Sequence, residues 1–305
     1  MITECAPLYS QNHALNLSPD AFGELRKSDV SDLAAEELRQ RLEDDGYLYL
    51  PGFFEREEIL SVRGTLTKNL MRQGLLSPAH PHEDAIWNPE HRTSFEPDLA
   101  RHNQALESVV YGQQIMGFYE NLLAAPVIHF DYTWLRAVGP GVGTRPHCDL
   151  VYMGRGTHDL LTCWIPYGDV SLELGGLIVL EDSHKKSHLI RAYLDTDVDA
   201  YCENRPADVQ KIKEGGGWSH PGWLSTNPVS LREKLGGRWL TTEWRAGDLI
   251  TFKMNLVHAS LDNRTDRIRL SSDTRYQRAS EPVDDRWVGA NPPGHSSAGK
   301  RGRIC

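Results

Sequence analysis

From residue 126 onward the chain is written in short β-prone runs broken by glycine and proline: 127–138, 160–165, 176–180, 239–244, 249–252, 256–260 and 269–277. No run of that length can bury itself, so each must pair with others, and many short strands with turn signals between them point to an all-β sandwich or barrel. The chain before that boundary is built differently. Leu38 and Leu42 stand four apart with Ser31 ahead as a capping residue and Gly46 behind, the pattern of an amphipathic helix. Tyr47-Leu48-Tyr49-Leu50-Pro51 reads as a short strand. Ile59, Leu66 and Leu70 mark one face of a second helix over 55–74, and Leu106, Val109, Val110, Met116, Leu122 and Leu123 mark a third over 103–124. The fold class is therefore mainly β with flanking helices.

One domain accounts for this order: an N-terminal arm over 1–30, helical support over 31–125, a β core over 126–281 and a polar tail over 282–305, mobile from about 291. An insertion over 184–237, carrying Gly215-Gly216-Gly217, interrupts the core and covers one end of the barrel. The stretch 77–95 is rich in Pro, His and Trp without either period, and reads as a loop acting as a lid. Its His80 and His82 read as structural, because a proline-punctuated loop is a poor frame for ligands.

Composition narrows the partners. Basic residues number 33 against 42 acidic ones, a net charge of -9, which disfavours nucleic acid and anionic lipid surfaces. The five cysteines, Cys5, Cys148, Cys163, Cys202 and Cys305, are odd in number, widely spaced and lack a Cys-x-x-Cys pair, so neither a disulfide frame nor a zinc ribbon is expected. A reducing, cytoplasmic setting follows. The first residues show no basic segment followed by an apolar one, and no apolar run is long enough to span a bilayer. A small molecule is the expected partner; the oligomeric state is not legible.

The chemistry centres on His147-Cys148-Asp149, which follows the glycine-rich run Gly139-Pro140-Gly141-Val142-Gly143-Thr144-Arg145-Pro146. On a strand an i, i+2 pair shares one face. His258 ends the apolar run after the turn Ala246-Gly247-Asp248 and can join the pair at the barrel mouth. Two histidines and one carboxylate leave several positions of a metal open, the facial arrangement of non-haem Fe(II) oxygenases. The same ligand types also suit Zn2+. Eleven residues after His258, Arg269 opens an alternating strand on which Ser271 shares its face. A buried guanidinium needs an anion, and its fork matches a carboxylate, so a dicarboxylic cosubstrate would suit Arg269. The alternative for this strand is an exposed face with Asp273 and Arg275 in surface ion pairs.

These motifs occur in the order seen in the phytanoyl-CoA dioxygenase family, which the chain resembles over about residues 30–280: His147-Cys148-Asp149, then Asp182-Ser183-His184-Lys185, then Ala246-Gly247-Asp248-Leu249-Ile250-Thr251-Phe252, then His258, Arg269 and Asp273-Thr274-Arg275-Tyr276-Gln277. The opening Asp45-Gly46-Tyr47-Leu48-Tyr49-Leu50-Pro51-Gly52-Phe53-Phe54 is also similar. The resemblance implies a double-stranded β-helix (jelly-roll, cupin-like) core and a dioxygenase using Fe(II), 2-oxoglutarate and O2. It implies His147, Asp149 and His258 as metal ligands, Arg269 as the anchor of the distal 2-oxoglutarate carboxylate, and Trp164 in the cosubstrate pocket, to which the alternation adds Ser271 beside Arg269. Where the family commonly has Gly-Ser-His this chain has Asp182-Ser183-His184, and His184 reads as structural.

Hydroxylation of an unactivated C–H bond in a small metabolite or natural-product intermediate is the expected reaction, with release of succinate and CO2. Asp149 disfavours halogenation, since related halogenases put a small residue there. Desaturation, ring formation and demethylation begin with the same hydrogen abstraction and stay open. A catalytically silent binding module and a Zn-dependent hydrolase are the rival readings. Trp87, Arg136, Arg145, Trp218 and Trp223 are candidates for the substrate wall.

Overall fold

The computed structural model of the chain describes residues 6–31, 33–214 and 220–305. Cys5, the start of the chain, Gly215-Gly216-Gly217 and Trp218 lie outside the described residues, so the readings placed on them are not taken further.

Two sheets face each other. The larger runs in the order Tyr47–Leu50, Leu249–Lys253, Leu161–Pro166, Arg269–Arg278 and Val127–His129, with Trp134–Val138 also paired to Arg269–Arg278. The smaller runs His258–Ser260, Leu177–Leu180, Trp239–Thr241, Phe22–Glu24. This is the jelly roll.

Alternation along the strands explains why both faces of the larger sheet are covered. Tyr49, Trp164, Ile250 and Phe252 point inward and pack with Leu177, Val179 and Leu240 of the smaller sheet. Their neighbours Leu48, Leu50, Leu161, Cys163 and Leu249 point outward into a second core built with the helices Ala35–Asp45, Arg56–Arg72 and Gln113–Leu123. Leu48, Leu66 and Leu70 are fully covered there, each contributing about 1.5–3 kcal/mol. The first helix ends at Gly46, whose φ of 78° is left-handed, and an added Cβ would come within 2.5 Å of His184 Nδ1. His184 Nε2 meets the Glu43 carbonyl at 3.0 Å, a structural contact that ties the 182–184 turn to this helix end.

Several boundaries differ from expectation. The helix expected over 103–124 is two helices, Gln104–Val110 and Gln113–Leu123, because the chain turns at Gly112, where a Cβ would lie 1.9 Å from the Ser108 carbonyl oxygen. The run 127–138 likewise folds as two strands. The insertion packs Ile190, Leu194, Leu231 and Leu235 against the outer face of the smaller sheet rather than only capping one barrel end.

The tail is not loose. Arg301–Arg303 pairs in parallel with Ala200–Cys202, and the Asp199 carboxylate meets Lys300 Nζ at 2.6 Å, His295 Nδ1 at 2.7 Å and Arg286 Nη1. The expectation of no disulfide is also overturned: Cys202 and Cys305 are joined, with Cα atoms 5.5 Å apart. Two cysteines separated by 103 residues give no spacing signal, since only the fold makes them neighbours. Cys148 and Cys163 are free and buried.

Candidate functional site

His147 and His258 exchange backbone hydrogen bonds across an antiparallel bridge, which sets the two imidazoles side by side with ring centroids 4.1 Å apart. Asp149 does not share a strand face with His147, as the i, i+2 spacing predicted. Its backbone is helical (φ -65°, ψ -23°) and it caps the short helix Leu150–Met153, so a turn rather than a pleat swings its carboxylate back. The result still brings the three together: one ligand atom from each of His147, Asp149 and His258 lies within 4.8 Å of the others. Asp149 Oδ1 is 3.6 Å from His147 Nε2 and 3.7 Å from His258 Nε2.

The surrounding hydrogen bonds turn the right atoms inward. His147 Nδ1 lies 2.7 Å from the Arg145 carbonyl and His258 Nδ1 3.1 Å from that of Leu256. A carbonyl only accepts, so each ring proton sits on Nδ1 and each Nε2 keeps its lone pair for a cation. Asp149 Oδ2 accepts Thr162 Oγ1 at 2.5 Å and Arg275 Nη2 at 2.8 Å, which leaves Oδ1 toward the histidines. Burial, with His258 beside it, drops the His147 pKa to about 3, so the imidazole is neutral. Burial also lowers that of His258. Burial pushes the Asp149 carboxyl up, but Arg275 foremost and then the two histidines pull it well below the usual carboxylate range. Neutral nitrogens and an ionised oxygen are the protonation states a divalent metal requires.

A narrow cavity beside this cluster is lined by His147, His258, Thr144, Trp164, Ser260 and Arg269. Arg269 is 2% exposed, donates from Nη1 to Ser271 Oγ at 2.7 Å, and has an Nε with no hydrogen-bond partner. Burial lowers its pKa to about 10, which still leaves it charged at neutral pH. No carboxylate among the described residues pairs with it. A buried cation with an orphaned donor, in a cavity also lined by two of the three residues that could hold a metal, fits a dicarboxylate chelating that metal. Trp164 flanks Arg269, ring centroid to guanidinium 5.8 Å, and Ser271 holds the guanidinium from the same strand face.

Asp273 and Arg275 are not surface residues. On the inner face of Arg269–Arg278 they continue the period that begins with Arg269 and Ser271, Asp273 accepting from Arg136 Nε at 2.6 Å and Arg275 bracing Asp149. The alternation that put Ser271 beside Arg269 could have extended to both. Thr162 had no comparable signal; strand register sets it opposite Arg275, and Asp149 Oδ2 accepts from both. At the mouth, the Arg145 guanidinium stacks 4.0 Å over Trp223. Trp87 packs on Gly139 and donates to the His91 carbonyl. His82 contacts Thr67 Oγ1 at 3.0 Å, and His80 is exposed.

Known proteins are similar to this chain. A 1-deoxypentalenic acid 11-beta-hydroxylase from Streptomyces exfoliatus is 25% identical over 259 residues, 80% of this chain and 82% of the relative. Among solved structures, the non-heme alpha ketoglutarate dependent carbocyclase SnoK from nogalamycin biosynthesis superposes with a TM-score of 0.59 at 17% identity, covering 87% of this chain and 91% of its own. EctD from S. alaskensis, solved with 2-oxoglutarate and 5-hydroxyectoine, gives 0.56 at 16% identity over 99% and 97%. Both structures share the fold. The sequence profile of the phytanoyl-CoA dioxygenase (PhyH) family matches residues 42–271, and the chain belongs to that family.

Proposed function

We propose that the protein is an Fe(II)- and 2-oxoglutarate-dependent dioxygenase that hydroxylates an unactivated C–H bond of a small-molecule metabolite or natural-product intermediate. One observation carries the reading: His147 and His258, whose ligand atoms lie within 4.8 Å of one another and of that of Asp149, line one cavity together with Arg269, a buried guanidinium whose Nε has no hydrogen-bond partner. Bound Fe(II), with 2-oxoglutarate and O2, supplies the oxidising power, giving succinate and CO2. The chain's part is placement. His147, Asp149 and His258 hold the metal on one side, Thr162 and Arg275 aim the carboxylate, and Arg269, with Ser271, takes the distal carboxylate beside Trp164.

The presence of Asp149 favours oxygen transfer over halogenation, because the carboxylate fills the ligand position a halide would need. A Zn-dependent hydrolase has no use for Arg269, and a silent binding module has none for a carboxylate braced by two donors. The hydroxylase relative acts on 1-deoxypentalenic acid, as its name states, and supports a small molecule as substrate. A cytoplasmic setting belongs to the same proposal; there the Cys202–Cys305 pair would stand as two thiols, with the ion pairs of Asp199 keeping the tail in place. Incubating the Fe(II)-loaded protein with 2-oxoglutarate, O2 and a set of cyclic metabolites that includes 1-deoxypentalenic acid tests the reading. Succinate release that His147→Ala abolishes, with a product heavier by one oxygen, is expected. Succinate formation identical in wild type and His147→Ala overturns it.

A further inference from the structure

The cavity holds a second cation besides Arg269. Arg136, on the strand Trp134–Val138, stands opposite Ser271 in the register with Arg269–Arg278 and lines the same cavity as His147, His258 and Arg269. Its Nε donates to Asp273 Oδ2 at 2.6 Å, and its two Nη atoms have no hydrogen-bond acceptor among the described residues. Asp273 therefore fixes the guanidinium by one edge and leaves the other edge unspent.

Position along the strand gives this edge a direction. The inner face of Arg269–Arg278 carries Arg269 at the far end of the cavity and Arg275 at the Asp149 end, with Ser271 and Asp273 between them. Arg136, opposite Ser271 and bonded to Asp273, is thus displaced from Arg269 toward the metal ligands. Charge points the same way. Arg136, Arg269 and Arg275 set three guanidinium groups against the two carboxylates of Asp149 and Asp273. That is unusual in a chain of net charge -9, and it suits a dianion.

We propose that Arg136, held by Asp273, is a positioning residue for the metal-side carboxylate of the 2-oxo acid, so that the cosubstrate is recognised by two arginines, one for each carboxylate. The proposal rests on the 2-oxoglutarate reading above. A pairing that served only to neutralise Asp273 would stabilise the fold without discriminating between ligands.

Anaerobic titration of the Fe(II)-loaded protein separates these roles, using the visible charge-transfer absorption of an iron-bound 2-oxo acid to obtain dissociation constants. The two ligands are 2-oxoglutarate and 2-oxobutyrate, which lacks the distal carboxylate. Arg136→Gln is expected to weaken both by the same factor, roughly 10–100-fold for a charge-assisted hydrogen bond. Arg269→Gln is expected to weaken 2-oxoglutarate alone. Arg136→Lys, which keeps the charge but not the fork, should recover part of the loss, and Asp273→Asn should mimic Arg136→Gln in milder form. The proposal is overturned if Arg136→Gln leaves both constants unchanged or weakens only 2-oxoglutarate, and equally if Arg136→Lys and Asp273→Asn both bind as wild type. Wild-type protein that holds iron and gives no band with 2-oxoglutarate would instead remove the underlying reading.

Discussion

Replacing Arg275 by methionine is the most informative single change, because it removes the group that does most to bring Asp149 below its usual ionisation range while leaving every proposed ligand in place. Arg275 is 2% and Asp149 3% exposed, and the Nη2–Oδ2 contact is 2.8 Å. Breaking a buried pair from one side costs about 3–5 kcal/mol, since the partner is left in low dielectric. For a chain of this length about 2 °C is lost per kcal/mol, so Arg275→Met should melt roughly 6–10 °C below wild type. The second effect is on the metal. With only Thr162 Oγ1 left on Oδ2, Asp149 is no longer aimed at the histidines, and Fe(II) or Co(II) affinity should fall about 10–100-fold, the usual consequence of losing a group that orients a ligand. Differential scanning fluorimetry of the metal-free protein and anaerobic metal titration measure the two. Thr162→Val, which removes a hydrogen bond but no charge, should cost about 1.5–3 kcal/mol. Wild-type melting and metal affinity in Arg275→Met would refute the reasoning.

Three further outcomes follow from the same structure. Alanine at His147, Asp149 or His258 should each abolish stoichiometric Fe(II) binding while the far-ultraviolet circular dichroism stays that of wild type; iron bound one to one in all three would refute the assignment of the site. Gly46→Ala forces a Cβ onto a left-handed residue and into the His184 ring, and should cost roughly 2–4 kcal/mol by denaturant unfolding without altering metal affinity. Burial pushes the Asp199 carboxyl up, but His295 and Lys300 bring it down to about 2. Its folded pKa is therefore depressed, and its contribution is present above the ordinary carboxylate range and lost as pH falls through it toward 2. The stability difference between wild type and Asp199→Asn, from urea unfolding, should shrink as pH falls from about 4 toward 2; a difference that grows over that range would contradict this.

What the sequence made legible was periodic or fixed in spacing. Alternation gave the strands, the Leu38–Leu42 spacing gave a helix, and the offset between His258 and Arg269 put a cation where a cavity needed one. What it hid depends on contacts between distant segments. Asp149 reaches the histidines through a helical turn that the His-x-Asp spacing cannot distinguish from a strand. Thr162 meets Asp149 because strand register sets it opposite Arg275, and Arg275, for which a surface ion pair was the alternative, is buried because its side of the strand turns inward against Asp149 and the Trp134 ring. The polar composition of the tail concealed its anchor for the same reason: the acid that holds it, Asp199, is about a hundred residues away in sequence.

The central claim is that the cavity between the His147, Asp149 and His258 cluster and Arg269 takes 2-oxoglutarate on iron. Anaerobic reconstitution with Fe(II), followed by 2-oxoglutarate, tests it most directly. A weak visible metal-to-ligand charge-transfer band that saturates at one equivalent, and is lost in Asp149→Ala, is the predicted result. Iron bound at one equivalent with no such band at any 2-oxoglutarate concentration would contradict it.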